Sequence, residues 1–146
     1  MSLNILIIIA VAVFGALFIF LFSLKKIVKR RVQTLFNRFS DCNIIEHERF
    51  ANCLGIESRG LTQIRGNGVL ILTEEFIFFQ MIIPKNEILI PIKDIRKTGV
   101  VFSHLKKTKG QKLLKIIYTN KKGKKDSIAF VVNDVDIWID KLRAIQ

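Results

Sequence analysis

The chain has 146 residues, half of them hydrophobic, and a formal net charge of +12. No Lys, Arg, Asp or Glu precedes Lys25, so the whole basic excess lies beyond the first 24 positions. Setting aside that apolar start and the basic stretch after it leaves roughly 100 residues, which excludes more than one small domain with a single core.

Leu3 to Leu24 reads LNILIIIAVAVFGALFIFLFSL. As a helix at about 1.5 Å per residue it is about 33 Å long, enough for a hydrocarbon layer of about 30 Å. A buried helix of a soluble protein is rarely apolar on every face. A cleaved signal peptide has basic residues ahead of a shorter apolar run and small residues at its cleavage site. Here Lys25-Lys26 stands where the small residues would be. Residues 1–24 are therefore expected to be an uncleaved transmembrane anchor.

Lys25, Lys26, Lys29, Arg30 and Arg31 come directly after the run. By the positive-inside rule the C-terminal side is expected to be cytoplasmic and the N-terminus outside. Residues 25–45 form a basic juxtamembrane segment, with Val28, Val32, Leu35, Phe36 and Phe39 on one helical face. Two readings stand. The helix continues out of the membrane, or it lies along the bilayer with those five basic residues as membrane-surface contacts, each contributing about 1 kcal/mol near anionic lipid.

Residues 46–146 are expected to be one domain, α+β but mainly β. Short apolar runs rich in β-branched and aromatic residues alternate with turn residues. Strands are expected at Gly68–Thr73, Phe76–Ile83 and Glu87–Ile92, around Val100–Phe102, at Leu113–Thr119 and Ser127–Val132, with a further one near Leu61–Arg65. Pro91 marks its strand as an edge or a bulge. A helix from about Asp134 to Ile145 closes the chain, with Asn133 as its expected N-cap. Val135, Trp138, Ile139, Leu142 and Ile145 make one apolar stripe, and Trp138 is the expected plug of the core. Six or seven antiparallel strands and one amphipathic helix pack as a sheet curled into a small β-barrel, with the helix over its open end.

The runs GNGVLILTEEFIFF, EILIPIKDI, LLKIIYT and FVVNDVDIWIDKL resemble a PH-like domain of the GRAM or bacterial PH type. Gly68, Leu70, Leu72, Thr73, Phe78, Ile90, Pro91, Ile92 and Ile95 match that pattern, over roughly residues 60 to 145. The chain also resembles small uncharacterised membrane-anchored bacterial proteins with segments like ANCLGIESRGLTQIRGNG, a likeness that implies no activity. The PH-like resemblance implies the curled sheet with its C-terminal helix. PH-like domains that bind phosphoinositides place basic residues in the first hairpin loop. Here Glu74 and Glu75 are read as that loop, which speaks against a specific inositide site.

The basic loops offer the expected contact with anionic lipid or a partner. Lys106, Lys107, Lys109 and Lys112 lie between the fourth and fifth of these strands, and Lys121, Lys122, Lys124 and Lys125 between the fifth and sixth. Lysine in place of arginine suits diffuse attraction more than bidentate recognition. Glu46-His47-Glu48 lacks further metal ligands, and His104 is the other histidine. Ser58, Thr62 and Ser103 have no visible base partner. Gly66-Asn67-Gly68 reads as a turn into a strand. Cys42 and Cys53 fit no metal spacing and read as free or buried thiols. The aromatics do not interleave with the lysines, so nucleic acid is not an expected partner.

The expected function is a membrane-anchored cytoplasmic interaction module, non-enzymatic and without a cofactor, meeting the anionic leaflet or another membrane protein. A structural accessory subunit of a transport or secretion complex is the alternative. An enzyme built on Glu46, His47, Glu48 or Arg65 is a third.

Overall fold

A computed structural model describes residues 3–107 and 110–146. It divides into two compact units, one ending at Arg38 and one from Phe39 to Gln146.

The first unit is a single helix, α1 (Leu3–Arg38). Among the described residues it is the one helix long and apolar enough to cross a membrane, with a mean hydropathy of 3.0 in its most apolar window. It has no break at Lys25, so the basic collar continues the helix through Arg38. The absence of Pro and the good helix propensity of Lys, Arg, Gln and Leu in the collar account for that continuity.

The second unit holds seven strands: β1 (Ile44–Ile56), β2 (Gly66–Thr73), β3 (Phe76–Met81), β4 (Asn86–Pro91), β5 (Ile95–Val101), β6 (Leu113–Thr119) and β7 (Lys125–Val131). The helix α2 (Val135–Ala144) comes after them. The sheet order is β4-β3-β2-β1-β7-β6-β5, with every neighbouring pair antiparallel. The mainly β class, the curled sheet and the closing helix match the expectation. The barrel does not: β4 and β5 are both edges, so the sheet stays open. Pro91 has no amide proton to extend a ladder. It ends β4, and a single 3₁₀ turn (Ile92–Asp94) carries the chain to β5.

The seventh strand is not at Leu61–Arg65, which lies in the loop between β1 and β2. It is β1, thirteen residues that the sequence divides between linker and unplaced segment. Register shifts at Ile44/Glu46, Glu48/Ala51 and Cys53/Ile56 bend it, so one strand pairs with β2 along Ile44–Cys53 and with β7 along Asn52–Ile56. Bulges of this kind add twist and turn a strand from one sheet half to the other.

The core fills the concave side with Leu70, Leu72, Phe79, Ile116 and Phe130, all at most 1% exposed. The packing of β2 on β3 needs Gly68, because a Cβ there would lie 2.3 Å from the Gln80 carbonyl oxygen. The α2 stripe covers the open side against β5, β6 and β1, and Trp138 is buried as expected. The N-cap is Asp134, one residue later than expected. Its carboxylate accepts from the amides of Asp136 (3.0 Å) and Ile137 (3.1 Å). The amide of Asn133 is engaged by Glu48 instead. On the convex side Phe39 makes a small second layer, its ring centroid 4.9 Å from Phe78 and 5.7 Å from Phe76. Thr73 Oγ1 accepts from the amides of Glu75 and Phe76, which shapes the tight β2–β3 turn.

Candidate functional site: the loop end of the sheet

Because β1 is the first strand, the first hairpin loop is residues 57–65. Glu74 and Glu75 belong to the second connection, β2–β3. The first loop therefore carries Arg59 and Arg65, and the acidic reading of it is corrected.

This loop is built, not slack. Gln63 acts as a surrogate strand: its side-chain amide accepts from Ile56 N at 2.7 Å and donates to Ile56 O at 2.7 Å and Gly60 O at 2.6 Å. That close approach needs Gly55, which has φ 104° and would place a Cβ 2.6 Å from Gln63 Cδ. A 3₁₀ turn (Glu57–Arg59) then fastens to β7. Ser58 donates from its amide to Asp126 Oδ1 (3.0 Å) and from its hydroxyl to Asp126 Oδ2 (2.5 Å). The Ser127 hydroxyl donates to Glu57, whose carboxylate also lies 3.7 Å from Lys115 Nζ. These residues line a cleft of about 420 Å³ with Lys125 and Ile117.

The electrostatics derive from those bonds. The Ser127 hydroxyl, against some burial, holds the Glu57 carboxyl below its usual range. Burial of Asp126 works the other way, but bonds from Ser58, the Ser127 amide and Asn120 outweigh it and keep the carboxyl low. Burial pushes the Cys53 thiol up to about 11 and the Tyr118 hydroxyl to about 12, so both stay protonated at neutral pH. Arg65 donates from Nη2 to Gly60 O at 3.2 Å, while its buried Nε has no partner among the described residues.

The two lysine loops leave β6 from opposite ends, about 20 Å apart along the strand. One nevertheless reaches the first loop, and the other reaches the end of β1 that leads into it. The β6–β7 turn is wound around Asn120, whose side chain accepts from Lys122 N (2.9 Å) and Lys124 N (3.1 Å), and it joins the first loop through Asp126. Lys121, Lys122, Lys124 and Lys125 project from it into solvent. The β5–β6 connection folds back, so that buried His104 meets Gly55 O at 2.9 Å. Its tip is a two-residue reversal with Leu105 (φ 47°) and Lys106 (φ 61°) both left-handed, closed by paired His104 and Lys107 backbone bonds. Lys106 and Lys107 are exposed. Lys112 pairs with Asp136 of α2 at 2.8 Å, and Lys109 lies outside the described residues.

Burial lowers the His104 pKa, with Lys115 and Arg65 acting in the same sense and the Gly55 carbonyl and Glu57 opposing. The unfolded chain then binds the proton more readily. Stability is full above about pH 6.5, the free histidine value, and falls as pH drops from there toward the folded value. Thermal melts between pH 8 and pH 5 are expected to show that decline. His104→Gln, whose amide can still donate to Gly55 O, is expected to flatten it; an unchanged pH profile would contradict this role.

A third connection joins the same end. The β3–β4 turn is held by Ile82 N to Asn67 O (3.0 Å), beside the start of β2. At this end Leu61, Ile64 and Ile83 are each about 60% exposed, unusual for large apolar side chains placed together. No sequence signal marks them, because the register that gathers them depends on β1. The five collar residues Lys25, Lys26, Lys29, Arg30 and Arg31 lie exposed on α1.

The other candidates have structural duties. Glu46 takes Lys141 Nζ at 2.5 Å and Glu48 takes Asn133 N at 3.1 Å, tying β1 to the start and middle of α2. Among the described residues no group of three or more His, Cys, Asp or Glu is placed to hold a metal. Cys42 and Cys53 are both free thiols, and Cys53 is buried.

No family model and no curated protein matches the chain. Solved structures do. A chain of the 8S snRNP assembly intermediate aligns with a TM-score of 0.56 at 12% identity, over 70% of this chain and 81% of that one. The C-terminal domain of an unknown protein from Leishmania infantum aligns with a TM-score of 0.52 at 11% identity, over 81% of this chain and 96% of that one. The Vps36 N-terminal PH domain gives 0.49 at 13% identity, over 70% and 80%. At such identities the first two show a likeness of fold alone.

Proposed function

We propose that this protein is a single-pass, membrane-anchored interaction module of PH-like type, on the cytoplasmic side, whose loop end docks on anionic lipid head groups. One observation carries the reading. Three connections bring exposed Leu61, Ile64 and Ile83 to the same end of the sheet as Arg59, Arg65, Lys121, Lys122 and Lys124. Apolar tips within a basic rim suit the boundary between head groups and acyl chains, where apolar burial and attraction to anionic lipid add. The anchor supports it further: a domain confined to a bilayer needs only weak individual contacts. The collar lysines and arginines add to the same attraction.

Spin labels test the docking. A label at Leu61→Cys is expected to become shielded from a water-soluble relaxation agent when anionic vesicles are added, while one at Ile137→Cys, exposed on α2 and outside the loop end, stays accessible. Equal response at both positions would refute the geometry. Sidedness is tested separately: a membrane-impermeant maleimide is expected to reach the domain only after the cells are permeabilised, and labelling of intact cells would reverse the orientation.

A further inference from the structure

A second concave surface lies at the other end of β2 and β3. It is a groove of about 740 Å³, within the range of about 300–1,000 Å³ typical of ligand clefts. It opens where the sheet fails to close. Its floor is apolar, with Phe76, Leu89, Ile92 and Ile145, and Leu89 is 51% exposed. Its rim carries Glu74 and Glu75, both exposed, against one cation, Lys93. An acidic-rimmed apolar groove is notable in a chain with 24 basic and 12 acidic residues.

We propose that this groove receives the basic collar of a second copy of the chain, in a state that alternates with docking of the loop end on lipid, since the groove and the loop end lie at opposite ends of β2. Collar and groove are complementary in charge and in apolar surface. On the collar helix Lys26, Ile27, Arg30 and Arg31 fall at spacings of three and four, so they share one side, while Lys25 and Lys29 occupy another. The first group offers an exposed aliphatic residue for the floor and cations for Glu74 and Glu75; Ile27 is 43% exposed. The second remains available to lipid head groups.

Phe76, part of the groove, packs against Phe39, the first residue of the Phe39–Gln146 unit. Each copy carries one collar and one groove, so reciprocal exchange closes a two-fold dimer and satisfies both.

The test uses the full chain in its native membrane, with Cys42→Ser as background. Two differently tagged copies are co-expressed, one with Ile27→Cys and one with Leu89→Cys, which leaves every charge in place. Mild oxidation is expected to give a mixed-tag disulfide dimer several-fold in excess of a control pair, Ile27→Cys with Phe102→Cys, which is exposed and lies outside both the groove and the loop end. Adding Glu74→Lys and Glu75→Lys to the Leu89→Cys copy is expected to bring the yield down to the control level. Equal yields for both pairs, no mixed dimer, or a yield indifferent to the charge reversal would overturn the proposal. So would a disulfide formed only within one chain when both cysteines are present together.

Discussion

Replacing Arg59, Lys121, Lys122 and Lys124 with alanine is expected to weaken binding of the Phe39–Gln146 unit to anionic vesicles by about 10³-fold. Each basic residue near an anionic surface contributes about 1 kcal/mol, and every 1.4 kcal/mol is tenfold in affinity. The loss is attributable to charge, because all four side chains are exposed at the surface of the fold. Lys122 and Lys124 are held to Asn120 through their backbone amides, which the substitutions leave in place. Removing a single cation of the groove, as in Lys93→Ala, is expected to change binding little. Vesicle co-sedimentation checks both. A comparable drop for Lys93→Ala would mean that net charge alone, and not the loop end, governs the attraction.

The second large effect is on stability. Trp138→Ala is expected to cost about 3–5 kcal/mol, through lost apolar burial and the cavity left between α2 and the sheet. For a unit of this size that corresponds to a fall in Tm of roughly 15–25 °C. Trp138 is 3% exposed and lies in the same cluster as Leu72, Phe79 and Phe130, so no solvent-side rearrangement relieves the void. Ile137, its neighbour on α2, is 46% exposed. Ile137→Ala is expected to stay within about 0.5 kcal/mol, as surface substitutions generally do. Calorimetry of the two variants separates helix propensity, which both perturb, from core filling, which only Trp138 supplies.

Elements with a clean period are legible in the sequence. The anchor is apolar at nearly every position. β2, β3 and β6 are runs of β-branched and aromatic residues, and the α2 stripe repeats at three and four residues. β1 has no such signature. Its segment IIEHERFANCLGI places Glu46, His47, Glu48 and Arg49 in a row, and its three register shifts break the alternation by which a half-buried strand is recognised. That hidden strand bears directly on the site. With β1 unseen, the Glu74–Glu75 turn reads as the first hairpin loop, and Arg59 and Arg65 fall outside it. The remaining features rest on contacts between residues far apart in sequence. His104 meets Gly55 across 49 positions and Ser58 meets Asp126 across 68, and no local pattern encodes either. Neither lysine loop shows, in its own sequence, that one meets the first loop and the other the end of β1.

The central claim is that the loop end of this domain recognises an anionic bilayer. The most direct measurement is co-sedimentation of the wild-type Phe39–Gln146 unit, which contains the whole sheet, its core and α2, with neutral and with anionic vesicles. Binding to anionic vesicles that is much stronger than to neutral ones, and that weakens steeply between low and physiological salt, is the predicted result. Equal binding to the two kinds of vesicle, or no binding to either, would contradict it.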